Sequence, residues 1–189
     1  MHKRQRYLDN LVERIPHCNG IFYDVDGRIS GSHLQRICQA FGAPETLEAV
    51  PVITAGFPMM SWFFGYIDEG PLFVRPALFE RGYSEEEVTH CLVEHEGRHL
   101  MQFAQGLPGI DTQQFRSDWM QQRMSPLMIV TLLELDANLH AGKRHERYML
   151  GSTYLQAVHQ RARDQVQKLF SFRGAHEQQY WHQYHSAIF

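Results

Sequence analysis

The stretch from Ser84 to Phe103 constrains the fold more than any other part of this 189-residue chain. Ser84 is followed by three glutamates, and its spacing from Glu87 is that of a capping box, in which each side chain caps the backbone of the other residue. Acidic residues in a first turn also suit the helix dipole. Apolar and histidine side chains then recur three or four residues apart. The pattern predicts an amphipathic helix that ends at about Gly106 and buries one face.

Residues 95–99 place two histidines and a glutamate on this helix in the order His-Glu-Gly-Arg-His. Positions four apart lie on one helical face, so the imidazoles of His95 and His99 can reach one metal ion. Both fall on the apolar face, where an unpaired polar group would be costly. Glu96 can lie beside an open coordination position and accept a proton from the water that a metal activates. We interpret the motif as a metal site, although the same pattern also occurs by chance in solvated helices.

A second predicted helix carries the carboxylate that we expect to complete this site. Ser125 and Pro126 are residue types favoured at the N-cap and at the first helical position. Glu134 follows in an apolar stretch, where a carboxylate needs a partner. Asn138 is one turn further along on the same face, whereas Asp136 points elsewhere. The alternative is that Glu134 stands at an exposed edge of the helix and pairs with a lysine or arginine.

An HExxH motif on one helix, followed by Glu-x-x-Ala-Asn on the next, resembles the motif pattern of the gluzincin metallopeptidases. Within that family, the pattern is most similar to that of the small ImmA-type repressor proteases. The resemblance implies that His95, His99 and Glu134 hold a zinc ion, Zn²⁺. It further implies that Glu96 is the general base and that Asn138 orients one of the histidines. The activity it implies is hydrolysis of a peptide bond in a peptide or protein substrate.

We expect an α+β fold, in which a small, mostly antiparallel sheet packs against a helical zincin core with an HExxH helix and a following Glu-bearing helix. The gluzincin resemblance covers residues 84–141 only. The whole chain, 1–189, is expected to form one zincin-like domain. Its expected parts are N-terminal helices and sheet (1–83), a helical metal-binding part (84–170) and a tail rich in histidine and aromatic residues (171–189).

The N-terminal part supplies the strand signals for the expected sheet. Asp26 and Gly27 are a favoured two-residue turn, which predicts a hairpin over residues 21–29. Further strands are predicted at 50–54, 62–67 and 72–75. Helices are predicted at 3–15, 32–41 and 153–170. The family architecture implies an edge strand before the HExxH helix, where a substrate peptide adds as an extra strand, and 62–67 or 72–75 could supply it.

Charge and composition exclude some partners. Eighteen Lys and Arg residues against 21 Asp and Glu residues give a formal net charge of −3, so non-specific nucleic-acid binding is not expected. No apolar run reaches the roughly 18 residues of a membrane span, and no apolar segment of a secretory signal follows the basic start. Cys18, Cys38 and Cys91 are far apart and odd in number, which favours a reducing cytoplasm over a disulfide framework. The oligomeric state is left open.

Other classes of function stay open at this point. Two histidines and a carboxylate also form the facial triad of non-haem iron oxygenases, although such a site needs no general base where Glu96 stands. A binding or regulatory protein could keep the fold without turnover. ParB-like nucleotide-binding domains share a Gly-Arg-His sequence, but at a strand–helix junction. The substrate, any latency and the role of the tail are also left open. The oxyanion donor is open among His140, His145, Tyr148, Tyr154, His182 and Tyr184.

Overall fold

The structure, a computed structural model, describes residues 2–23, 53–55, 70–74, 76–144 and 151–189. The chain forms two compact units, Met1–Ala104 (unit 1) and Gln105–Phe189 (unit 2). The division falls inside the predicted helical part, and the single-domain organisation stays a prediction. Within the described residues, no helix is both long and apolar enough to cross a membrane.

Unit 1 begins with a short helix and a sheet and ends with the HExxH helix. Its elements, in order, are α1 (His2–Asp9), a 3₁₀ turn (Val12–Arg14), β1 (Cys18–Tyr23), β2 (Ile53–Ala55), β3 (Gly70–Val74), α2 (Pro76–Phe79), α3 (Glu85–His90), a π-helix (Cys91–Glu96) and α4 (Gly97–Gln105). The predicted helix over 32–41 and strand over 62–67 lie outside the described residues.

The strands of unit 1 form a parallel sheet. β3 lies between β1 and β2, with Leu72 level with Ile21 on one side and with Ile53 on the other. Ile21, Leu72 and Val74 are buried. The described residues are otherwise mainly helical. The expected α+β fold with a small, mostly antiparallel sheet packed against a helical core is therefore wrong.

The lengths of the connections explain this error. Residues 24–52 separate β1 from β2, and residues 56–69 separate β2 from β3. Both segments exceed the dozen or so residues that a parallel crossover needs, and apolar alternation along a strand does not report its direction. The return strand of the expected hairpin over 21–29 lies outside the described residues. Since β3 has a neighbour on each side, the strand predicted at 72–75 is not the edge strand.

The capping box predicted at the start of the HExxH helix is confirmed. The Ser84 hydroxyl oxygen accepts a hydrogen bond from the Glu87 backbone N–H at 3.2 Å, and the Glu87 carboxylate accepts one from the Ser84 N–H at 2.8 Å. These local bonds fix where the helix begins and hence which face carries the apolar residues. Val88, Cys91 and Leu92 are accordingly buried.

Unit 2 is helical throughout its described residues. Its helices are α5 (Thr112–Met120), α6 (Pro126–Lys143), α7 (Thr153–Leu169) and α8 (Ala175–Ile188). The predicted cap of α6 is confirmed, because the Ser125 hydroxyl oxygen accepts from the Met128 N–H at 3.2 Å. The residues predicted as a tail form α8, in which Tyr180, Trp181 and Tyr184 are buried.

A buried carboxylate ties α8 to α5. Asp118 accepts hydrogen bonds from the Tyr180 hydroxyl at 2.6 Å, from Gln114 Nε2 at 2.9 Å and from Arg123 Nη1 at 3.0 Å. His176 Nδ1 lies 3.5 Å from the same carboxylate. The Tyr180 hydrogen bond, followed by the others, holds the pKa of Asp118 below its usual value, and burial together with Asp118 raises the pKa of Tyr180.

We expect Asp118→Asn to destabilise unit 2 at pH 7 and to matter less in acid. A carboxylate with a lowered folded-state pKa contributes stability that is fully present above its unfolded pKa of 3.8 and is lost as the pH falls towards the folded value. Urea denaturation of both proteins at pH 7 and at about pH 3 measures this. Asp164→Asn, at an exposed position on α7, is the control and should have little effect. A stability difference that is the same at both pH values would contradict the assignment.

Candidate metal centre

The HExxH motif lies across the junction of the π-helix and α4. His95 and Glu96 are the last two residues of the π-helix, and Gly97 begins α4. π-Helical turns are rare and occur mostly at functional sites. His95, Glu96 and His99 are all buried, with 8%, 7% and 2% of their surface exposed. The motif is therefore not a solvated stretch of helix.

The two imidazoles of the motif are neighbours. The ring centroids of His95 and His99 lie 5.1 Å apart, and the rings are nearly perpendicular at 88°. This is the arrangement expected of positions four apart on one helical face. Two buried nitrogen donors therefore lie side by side in unit 1.

Gln102 orients the second histidine. Its carboxamide oxygen lies 2.9 Å from His99 Nδ1, and the glutamine is fully buried. An oxygen acceptor at Nδ1 requires the proton on that nitrogen, so the lone pair of the neutral ring is on Nε2. Ligand histidines in metal sites are usually held in this way. Sequence reasoning missed Gln102, although its position three residues after His99 places it on the same helical face.

Asn138, which the resemblance assigned to orient a histidine, is on α6 and is 1% exposed. Its Nδ2 donates a hydrogen bond to Gln165 Oε1 on α7 at 3.1 Å, whereas its buried Oδ1 accepts none from the part of the chain that the structure describes. The amide thus links α6 to α7, and its role towards a histidine stays a prediction.

Asp136, the other carboxylate of this part of α6, has a structural partner in α8. It is 4% exposed and accepts a hydrogen bond from the Tyr184 hydroxyl at 3.0 Å. Tyr184 was one of the candidate oxyanion donors, but its hydroxyl is buried in this contact. Two positions along a helix turn the side chain by roughly 200°, so Glu134 lies on another face of α6.

Glu134 completes a group of three possible metal ligands. It is partly exposed and lines a groove between α6 and α7. His95, His99 and Glu134 each offer one ligand atom, and these three atoms lie within 4.8 Å of one another. Ligand atoms of one tetrahedral zinc lie roughly 3–4 Å apart, given bonds of about 2 Å. Two imidazoles and one carboxylate are a donor set that zinc takes in catalytic sites, so the chemistry of these residues fits zinc.

Comparison of the chain with protein-family models, curated proteins and solved structures gives no match. The resemblance to gluzincins therefore stays a prediction, and function is argued from the site.

We expect Gln102→Ala to weaken zinc binding by about 10- to 100-fold, which is the usual cost of removing a residue that orients a ligand. Without the carboxamide oxygen, the proton of His99 is no longer held on Nδ1. Competition against a zinc-binding dye measures the affinity. Gln167→Ala, at an exposed position on α7, is the control. Equal affinities of Gln102→Ala and wild type would show that Gln102 does not orient a ligand.

The two carboxylates of α6 should separate metal binding from stability. Glu134→Ala should weaken zinc binding strongly, because it removes one of the three proposed ligands. Asp136→Ala should keep zinc but lower the free energy of unfolding by about 1–3 kcal/mol, because it leaves the buried Tyr184 hydroxyl without its acceptor. Tyr184→Phe should also lower the free energy of unfolding, because it removes the same hydrogen bond. The assignment is reversed if calorimetric zinc titration finds Asp136→Ala damaging and Glu134→Ala silent.

Proposed function

We propose that this protein is a zinc-dependent metallopeptidase, a hydrolase that cleaves peptide bonds in a peptide or protein substrate. The observation that carries the proposal is the proximity of the Glu134 carboxylate to the buried His95–His99 pair. Two imidazoles and one carboxylate are the protein ligands of a known class of catalytic zinc sites, in which a fourth position is left for water or substrate.

His95, His99 and Glu134 would hold the ion. Zinc in such a site supplies Lewis acidity, which makes a water molecule nucleophilic near neutral pH and polarises the substrate carbonyl. The hydrogen bond from His99 Nδ1 to Gln102 leaves Nε2 as the donor atom. All three donors stand on helices, which are rigid supports for a site.

Glu96 is the residue that we propose to move the proton. It follows His95 directly and is 7% exposed, so its carboxylate is shielded from bulk water. In this role Glu96 accepts a proton from the attacking water and then returns it to the amine that leaves. Carboxylates in this position of an HExxH motif act as the general base of metallopeptidases.

The choice of zinc over iron rests on Glu96. An iron site of two histidines and one carboxylate uses its open positions for oxygen chemistry and has no use for a base next to the first histidine. Elemental analysis of protein purified without added metal distinguishes the two. One zinc per chain supports the proposal, and stoichiometric iron would replace it with an oxygenase.

We further propose a cytoplasmic location. The three cysteines of the sequence are far apart and odd in number, which favours a reducing compartment over a disulfide framework.

Glu96→Gln is the sharpest test of the chemistry. An amide cannot take up the proton, so we expect zinc content to be kept and hydrolysis of an unstructured protein such as denatured casein to fall by about 10²- to 10⁴-fold. Glu94→Gln removes a nearby carboxylate of the same helical segment and should keep the activity. If Glu96→Gln cleaves as fast as wild type, the proposed mechanism is wrong whatever the metal.

Loss of metal in His95→Ala is the companion measurement. Metal binds the native chain far better than the unfolded chain, so the variant should also have a lower thermal midpoint than the zinc-loaded wild type. Full zinc content in both His95→Ala and His99→Ala would place the metal elsewhere.

A further inference from the structure

A groove of about 270 Å³ lies between α6 and α7 in unit 2. Leu127, Val130 and Glu134 line it from α6. Arg161, Asp164 and Lys168 line it from α7. The groove therefore combines an apolar wall, two cations and the carboxylate that we propose as the third zinc ligand.

The two cations of the groove pair with none of the residues that the structure describes. Arg161 and Lys168 are exposed, and neither side chain has a hydrogen bond or ion pair to a described residue. They are seven residues apart, which is two turns or about 10 Å along α7. Both point into the same groove, so their charges act on the same occupant.

The acidic residues of the groove offset only part of this positive charge once the proposed site is loaded. Asp164 accepts a hydrogen bond from Gln160 Nε2 at 2.7 Å, one turn back on α7, and keeps its negative charge. When the proposed site holds its ion, the positive charge of the ion balances the negative charge of Glu134. With Glu134 bound to the ion, Arg161 and Lys168 face a single remaining carboxylate, Asp164. The loaded groove therefore has a local positive excess, although the protein as a whole carries a formal charge of −3.

The apolar wall adds a second requirement for the occupant. Leu127 is 52% exposed, an unusual exposure for a large aliphatic side chain, and Val130 lies one turn along beside it. An occupant that matches the groove has aliphatic carbon for this wall and a carboxylate for α7. Glutamate and aspartate side chains of an extended polypeptide carry both.

We propose that this groove is a substrate subsite that takes an acidic side chain close to the cleaved peptide bond. The placement rests on the proposed function, because Glu134 would hold the ion at one point of the same groove. The substrate class is therefore a polypeptide segment with aspartate or glutamate within a few residues of the scissile bond.

Charge reversal on α7 tests the subsite. Zinc-loaded protein is incubated with a synthetic peptide library, and mass spectrometry identifies the cleaved bonds. Wild type should favour bonds with acidic neighbours, and the double variant R161E/K168E should lose this preference and cleave an acidic test peptide about tenfold more slowly. It should also cleave the matching lysine peptide better than wild type does. R161E and R163E are the matched pair, because each reverses one charge on α7, the first inside the groove and the second outside it. R161E should weaken the acidic preference, and R163E should behave as wild type.

The outcomes separate the subsite from the activity. Cleavage without an acidic preference, or the same preference in R161E/K168E, overturns the subsite and leaves the metallopeptidase standing. If wild type loaded with zinc cleaves no library peptide, the proposed function fails. The proposed subsite is then tested by peptide binding instead of cleavage. A fluorescein-labelled peptide rich in leucine and glutamate should then bind wild type more tightly than R161E/K168E, and salt should weaken that binding. Equal anisotropy titrations of the two proteins overturn the subsite.

Discussion

The proposed metal site depends on two imidazoles that lie one turn apart on a buried helical face. Polar nitrogens are costly to bury without partners, so something must hold the rings of His95 and His99 in place. Gln102 does this for His99 through a hydrogen bond of 2.9 Å. Close packing also surrounds the motif, since a Cβ on Gly97 would lie only 3.1 Å from the Ile15 side chain. A side chain at position 97 would therefore press on Ile15, which would have to move by a few tenths of an ångström.

Local signals predicted the parts of this arrangement that neighbouring residues determine. The capping box at Ser84 and the N-cap at Ser125 need only side chains and backbone groups a few residues apart, and both are confirmed. The spacing of His95 and His99 along one helix likewise follows from helical geometry. For the same reason the angular separation of Glu134 and Asp136 could be predicted before their surroundings were known.

Features that depend on distant contacts could not be read from the sequence. Strand direction is set by where the connections run, so the parallel pairing of β3 with β1 and β2 was missed. The π-helix needs one extra residue per turn, and none of the residue types in Cys91–Glu96 predicts this widening of the helix. Residues 171–189 were expected to form a tail rich in histidine and aromatic residues. Instead they include α8, which is held by the buried Asp118 and Asp136 carboxylates, both contributed by other helices.

X-ray absorption at the zinc edge of the purified protein tests the central claim most directly. The account predicts one zinc with only nitrogen and oxygen neighbours at about 2.0–2.1 Å, and outer-shell scattering from two imidazole rings. In His99→Ala one of those two imidazole contributions should be missing from any zinc that stays bound. Sulfur scattering near 2.3 Å, or a spectrum that is the same in wild type and His99→Ala, would contradict a site built from His95, His99 and Glu134.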